Sequence, residues 1–245
     1  MAIKKFEAQL VKSNQIAPNV KHLVFKKANG ASFNFIPGQF ITFLFDYEDG
    51  KLRRRSYSVA SISKDTDLIE IAISYVRGGV ASEHLFNMQV GDKFNAMGPA
   101  GRLVLKASEK IRKLILVGTG TGITPYRAML PTIEQLLSQD IQEVHILLGV
   151  QYKEDVIYAE DFCQYANRLE HLYFKTCLSR EAESLAVDEQ KCYVQKSFRE
   201  LNLDPKQDVV YLCGNPNMIN DAFSLLTESG FNAKGVRREK YISSN

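Results

Sequence analysis

The sequence predicts a β + α/β chain: an N-terminal antiparallel β-barrel followed by a doubly wound parallel-sheet domain. Three observations carry this expectation. Short apolar-alternating segments, split by glycine- and proline-containing turns, fill residues 3 to about 105. From Ile111 onward, short continuous apolar runs alternate with helical stretches. Between them stands Val117-Gly118-Thr119-Gly120-Thr121-Gly122-Ile123-Thr124-Pro125, a glycine-rich passage from a buried strand into a helix. The expected division is 1–106 for the barrel and 107–245 for the second domain, with the boundary near 106–112.

In the first part, Phe6, Ala8 and Leu10 alternate as on a half-buried strand. Val20 to Lys27 forms a second strand, and Phe40 to Phe45 a third, dense in β-branched and aromatic residues. Arg55 to Ser58 closes a further strand, and Leu68 to Val76 reads as another. Asn29-Gly30, Pro37-Gly38, Asp49-Gly50, Gly78-Gly79 and Gly98-Pro99 supply the turns. One helix interrupts the pattern near Leu85 and Phe86, with Ser82 as its expected N-cap.

In the second part, Leu114 to Val117 is a buried strand and Tyr126 to Leu137 a helix. Val144 to Val150 is the next strand, Asp155 to Asn167 a helix, and Leu172 to Leu178 a strand. Val209 to Cys213 is a further buried strand, followed by Gly214 and a helix through Ala222 to Leu226. No internal repeat or low-complexity segment interrupts this order.

Composition narrows the function classes. With 245 residues, 45% hydrophobic and 24% charged, the chain has an ordinary globular composition and length enough for a substantial core. A formal charge of +3 is too mild to imply a nucleic-acid partner. The cysteines, Cys163, Cys177, Cys192 and Cys213, lack the spacing of a zinc site or disulfide framework, so no metal is expected. They also lack the C-x4-C-x2-C cluster of a plant-type iron–sulfur domain, so an iron–sulfur partner would be a separate protein. No apolar run reaches ~18 residues and no apolar leader precedes Phe6; the expectation is a cytoplasmic protein without a membrane partner.

Four stretches carry chemistry. In Gly118-Thr119-Gly120-Thr121-Gly122, small residues let backbone N–H groups approach a pyrophosphate at a helix start. The run departs from G-x-G-x-x-G at Ile123, and its other reading is a tight turn without a ligand. Cys213-Gly214-Asn215-Pro216 ends another parallel strand, where ligands of such sheets bind. Cys213 reads either as a buried small hydrophobe or as a thiol against a nicotinamide ring. In Arg55-Ser56-Tyr57-Ser58, an arginine suits a pyrophosphate, a tyrosine the face of an aromatic ring and a serine hydroxyl a ring nitrogen. Lys51 and Arg53 nearby read as a solvated basic run. Gly78-Gly79-Val80-Ala81-Ser82 is a second glycine-rich approach to a helix.

Arg55-x-Tyr57-Ser58, Gly78-Gly79-x-x-Ser82, Gly118 to Pro125 and Cys213-Gly214-x-Pro216 occur in the order found in one family. Together with Pro37-Gly38-Gln39-Phe40 and Gly98-Pro99-Ala100-Gly101, they make the chain resemble the ferredoxin–NADP reductase superfamily over essentially its whole length. The resemblance implies a flavin-binding barrel followed by a nicotinamide-nucleotide domain. Arg55 would bind flavin pyrophosphate, Tyr57 would stack on the isoalloxazine, and Ser58 would approach flavin N5. Gly79, Val80, Ala81 and Ser82 would hold the pyrophosphate, which favours FAD over FMN. Thr119 and Cys213 would flank the nicotinamide.

Ser179-Arg180 and Lys191-Cys192-Tyr193-Val194-Gln195 resemble the segments that grip the adenosine 2′-phosphate in NADP enzymes, with Arg180 and Lys191 supplying charge and Tyr193 a ring. NADPH is the expected donor and NADH the alternative. Glu239-Lys240-Tyr241 departs from the plant-type ending and resembles that of oxygenase reductases; Tyr241 either covers the flavin or packs the last strand. The implied activity is hydride transfer from NADPH to flavin N5, then single electrons to a separate carrier such as ferredoxin or flavodoxin. The alternatives are an NADH-using oxygenase reductase component and a non-catalytic electron-transfer or sensing subunit.

Overall fold

The computed structural model describes residues 3–47, 49–62, 67–106, 110–181, 186 and 189–241. It contains the two expected sheets. The first is built from β1 (Lys4–Ala17), β2 (Val20–Lys27), β3 (Phe40–Asp46), β4 (Leu52–Ser58), β5 (Leu68–Ser74) and β6 (Lys93–Ala100). Its order is β4-β3-β6-β1-β2-β5, all antiparallel. A bridge between Val59 and Ile71 draws the two outer strands together, so the sheet curls into a barrel. Alternation places Ala8 and Leu10 inside with Leu23, Phe25, Ile41, Phe43, Ile69, Ile71 and Ile73.

β6 was not expected from the sequence. Asn95, Gly98 and Pro99 break its apolar run, and it is held by pairing with β1 and β3 rather than by its own propensity. The helix of this half, α1 (Val80–Asn87), begins earlier than predicted. Gly79, not Ser82, holds the N-cap position. The Ser82 hydroxyl turns back instead, accepting from the Val76 N–H at 3.1 Å and lying 2.9 Å from the Gly79 carbonyl.

The second sheet is parallel and contains β7 (Ile111–Thr119), β8 (Ile141–Val150), β9 (Leu172–Leu178), β10 (Glu189–Gln190), β11 (Val209–Gly214) and β12 (Val236–Lys240), in the order β10-β9-β8-β7-β11-β12. Strand order reverses between β7 and β11. Both faces are covered. Leu114 and Leu116 pack with Met129 and Ile133 of α2 (Thr124–Leu137) and Phe162 of α3 (Ala159–Arg168). Ile115 and Val117 pack with Ile219 and Ala222 of α4 (Pro216–Glu228).

The helix predicted from Asp155 begins only at Ala159. Tyr158 stands at φ 59°, ψ 18°, a left-handed conformation that an α-helix excludes, and Lys153–Asp155 forms a separate 3-10 turn. Of the linker expected between the halves, residues 107–109 lie outside the described residues.

The base of the parallel sheet is tied by a buried carboxylate. Asp208, 0% exposed at its side chain, accepts from Arg112 Nε at 2.9 Å and from the backbone N–H groups of Lys113 at 3.1 Å and Asp204 at 2.6 Å. Replacing Asp208 by alanine leaves these donors unpaired, and a loss of about 3–5 kcal/mol is expected in denaturant unfolding. A loss below about 1 kcal/mol would contradict this account.

Candidate functional site

The two sheets meet along a cleft of about 720 Å3, and most of the predicted site residues converge on it. The barrel contributes the end of β4 with Arg55, Ser56, Tyr57 and Ser58, and the approach to α1 with Gly78, Gly79, Val80, Ala81 and Ser82. The parallel sheet contributes Thr119 at the end of β7 with Gly120 and Thr121 after it, and Gly214 at the end of β11 with Asn215 and Pro216 after it. Glu239, Lys240 and Tyr241 at the end of β12 close the far side. Parallel strands aim their carboxyl ends the same way, so three separate chain segments reach one cleft beside the reversal in strand order.

Close backbone approach explains the glycines here. A methyl group at Gly122 would run into the Cys213 carbonyl and lie 2.8 Å from Gly214 Cα. Gly214 has φ +117° and would carry its Cβ 2.8 Å from the Thr119 carbonyl oxygen. The turn after β7 and the end of β11 are therefore in backbone contact, locked further by Asn215 N–H donating to Thr119 Oγ1 at 2.9 Å. Gly118, Gly122, Thr124 and Pro125 form the inner side of that turn and do not line the cleft.

The barrel wall presents a different surface. Tyr57 packs one side against Phe43, with ring centroids 5.9 Å apart, while also lining the cleft. Burial pushes its phenol up, so the ring is a neutral platform. Ser56 bonds Thr42 Oγ1 across the strand pair at 2.9 Å. Arg53 is engaged by Asp49 at 2.9 Å, as suits a residue of a solvated basic run. The α1 N-terminus offers the N–H groups of Val80, Ala81 and Ser82, which have no partner within the helix.

Where the walls meet, Ser58, Glu239, Tyr241 and Cys213 form one cluster. Ser58 Oγ is 2.6 Å from the Tyr241 hydroxyl and donates to Glu239 Oε1 at 3.4 Å. Tyr241 is also anchored by its N–H to the Gly214 carbonyl at 2.8 Å, and it both packs against the core and lines the cleft. Cys213 is 0% exposed and belongs to the core against which Tyr241 packs, rather than lining the cleft. Burial raises the thiol and the Tyr241 phenol well above their ordinary values, so both stay protonated. Burial also pushes the Glu239 carboxyl up, and the Ser58 hydroxyl draws part of that back.

Ser179, Arg180, Lys191, Tyr193 and Gln195 do not reach this cleft. Ser179 and Arg180 follow β9, fixed by N–H groups bonded to the Val150 and Gln151 carbonyls at 3.0 and 2.9 Å. Gln190 of β10 pairs with Cys177 of β9, which sets Lys191 beside that strand end. Tyr193, 59% exposed, begins the 3-10 helix Val194–Glu200 that contains Gln195. Arg180 therefore follows a strand two places from β7 and Lys191 one three places from it, while Tyr193 and Gln195 flank Val194, whose side chain lies against Gly149 of β8 beside Thr119.

Sequence reasoning missed Arg54, Asn215 and Glu239 as cleft residues. Asn215 carried a readable signal: it caps α4, its side chain accepting from the Asn217 N–H at 2.8 Å just before Pro216. Arg54 was hidden in a basic run. Glu239 had no local signal.

The donor set fits a pair of dinucleotides: a neutral aromatic platform, guanidinium groups, a helix start, and two strand-end turns without side chains in the way. Such a cleft, between an antiparallel barrel and a doubly wound sheet, defines a two-nucleotide redox protein. Comparison with known proteins agrees. Residues 7–105 match the model of the oxidoreductase FAD-binding domain, and residues 116–223 that of the oxidoreductase NAD-binding domain. The chain is 31% identical to ferredoxin–NADP reductase B of Sorangium cellulosum, covering 96% of this chain and 97% of that protein. It is 26% identical to the toluate 1,2-dioxygenase electron transfer component of Pseudomonas putida, covering 98% and 68% of the two chains. The crystal structure of a ferredoxin NADP+ reductase from Neisseria gonorrhoeae with bound FAD and NADP shares the fold, with a TM-score of 0.84 at 21% identity over 98% of this chain and 99% of that one. The chain belongs to the ferredoxin–NADP reductase superfamily. It is an oxidoreductase with an FAD-binding half and a nicotinamide-nucleotide-binding half.

Proposed function

We propose that the chain is an FAD-dependent NADPH oxidoreductase that delivers electrons to a separate carrier protein such as ferredoxin or flavodoxin. The observation that carries this reading is the convergence of Tyr57 and Ser58 with Thr119 to Thr121 and Gly214 to Pro216 on one cleft. When bound, FAD supplies the hydride-accepting and single-electron chemistry. The chain's own residues bind and orient. Arg55, with Arg54, holds the flavin pyrophosphate together with Gly78, Gly79, Val80, Ala81 and Ser82. Tyr57 supports the ring by its face, and Ser58 hydrogen-bonds its edge. Tyr241 covers the ring from the other wall and shields it from water.

On the nicotinamide side, Gly118, Gly120, Thr121, Gly122, Thr124 and Pro125 shape the turn that takes the nucleotide pyrophosphate. Thr119, Cys213, Gly214 and Pro216 set the place of the nicotinamide. Ser179, Arg180, Lys191, Tyr193 and Gln195 hold the adenosine 2′-phosphate through charge and ring contact. This reading divides the halves at residues 106 and 107, and the family-model matches to 7–105 and 116–223 support it. Among the described residues the cysteines form no disulfide, which suits the reducing cytoplasm, and no described helix is long and apolar enough to cross a membrane.

The test is anaerobic addition of NADPH to the FAD-loaded protein, followed by steady-state kinetics with NADPH against NADH and ferricyanide as acceptor. Bleaching of the oxidised flavin and a higher kcat/KM with NADPH are expected. Persistent oxidised flavin would remove the catalytic reading, and a strong NADH preference would remove the roles of Arg180 and Lys191. The similarity to the toluate dioxygenase component, together with the Glu239-Lys240-Tyr241 ending, favours a second reading. In it, the carrier is an oxygenase component and the donor NADH; the same kinetics separate the two.

A further inference from the structure

Behind the cleft, a single arginine joins the two walls. Arg127 lies on α2, the helix that follows the glycine-rich turn, and its side chain is only 14% exposed. Its Nη1 crosses to the barrel, donating to Glu70 Oε2 at 2.6 Å and to the Ala60 carbonyl at 2.7 Å. Its Nε donates to Asp161 of α3 at 2.6 Å. Its Cζ also lies 4.7 Å from the ring centroid of Tyr158. The Tyr158 hydroxyl reaches across in turn to His22 Nδ1 of β2 at 2.7 Å, and His22 Nε2 is 3.5 Å from the same Glu70 carboxylate. Three barrel residues and three residues of the parallel-sheet half thus share one part-buried network. Tyr158 adopts its left-handed backbone within this network.

The connectivity gives the network leverage. Glu70 belongs to β5, whose Ala72 and Ser74 line the cleft. Arg127 belongs to the helix started by the turn that lines the opposite wall. Ser74 Oγ and Thr121 Oγ1 approach within 3.4 Å where those two segments meet. An apolar contact would join the halves equally well for stability alone. A guanidinium forked between two carboxylates and a carbonyl fixes orientation as well as distance, which a point-charge lysine does not.

We propose that Arg127, held by Glu70 and Asp161, is a positioning residue that sets the angle and separation of the flavin and nicotinamide walls. It acts on hydride transfer while touching neither nucleotide. The inference rests on the two-nucleotide reading of the cleft given above. A displacement of about 1 Å between reacting groups costs on the order of a hundredfold in rate, so a clamp of this kind acts on the chemical step.

The test uses the full-length FAD-loaded protein with Arg127→Gln and Arg127→Lys. Stopped-flow reduction by saturating NADPH, at a temperature where both variants are folded, should slow about a hundredfold in Arg127→Gln. It should slow by about tenfold in Arg127→Lys, with FAD and NADPH dissociation constants unchanged in both. Calorimetry of the ligand-free chains should turn one unfolding transition into two. Wild-type reduction rates in either variant would overturn the proposal, as would a loss traced wholly to weaker nucleotide binding. Should Arg127→Gln fail to fold, Arg127→Lys decides by the same criteria. Should the wild-type protein itself not be reduced by either nicotinamide nucleotide, the functional reading fails, and calorimetry alone decides the clamp: a single transition in the folded variant overturns it.

Discussion

Tyr57→Ala is expected to give a folded protein that loses its flavin during purification. The ring lines the cleft on one side and packs on Phe43 on the other, so alanine removes the platform and loosens the barrel wall behind it. Tyr57 is half-buried, and a loss of ~3 kcal/mol at the flavin alone weakens binding more than a hundredfold. Tyr57→Phe keeps the platform and should keep the flavin, because the neutral phenol brings no charge to the site. The flavin-to-protein ratio after gel filtration measures both. Full flavin and wild-type turnover in the alanine variant would show that the ring is not the support.

The second large effect is expected at Gly122→Ala. The added methyl meets the backbone of Cys213 and Gly214, and neither is a flexible side chain that can move aside. Either the turn lifts from β11 or β11 shifts within the sheet. A cost of about 3 kcal/mol corresponds to a fall of roughly 6–12 °C in melting temperature for a chain of this size. Reduction by NADPH should be lost with it, because Thr119 and Gly214 move apart. Gly120→Ala is the contrast. That position has φ +52° but open space around it, so only the left-handed penalty of about 1–2 kcal/mol applies. Equal melting temperatures for the two variants would show that backbone contact between the turn and β11 is unimportant.

Much of this architecture was legible in the sequence because its signals are local. Val20 to Lys27 and Leu172 to Leu178 have the bounds their apolar patterns predict. The strand-end turns declared themselves through glycine, threonine and proline, residues chosen for what the backbone must do there. The misses share a different cause. β6 depends on partners on both sides, α3 is shortened by a tyrosine drawn to the opposite sheet, and Glu239 meets Ser58 across 181 positions of sequence. No window of neighbouring residues contains those contacts. Arg127 is the extreme case: its barrel partners, Ala60 and Glu70, lie 67 and 57 positions away in sequence.

The strands at the margins of the parallel sheet bear on how other proteins can recognise this one. One margin is β10, only two residues long. The other is β12, where Arg237, Arg238, Glu239 and Lys240 crowd five residues. Among the described residues, neither offers a length of unencumbered backbone on which a foreign strand could template itself. The described margins of this sheet thus favour recognition written in side chains, through charge and shape that can be made and released quickly. A shuttle that must arrive, take one electron and leave is served better by such a surface than by a ladder of main-chain hydrogen bonds.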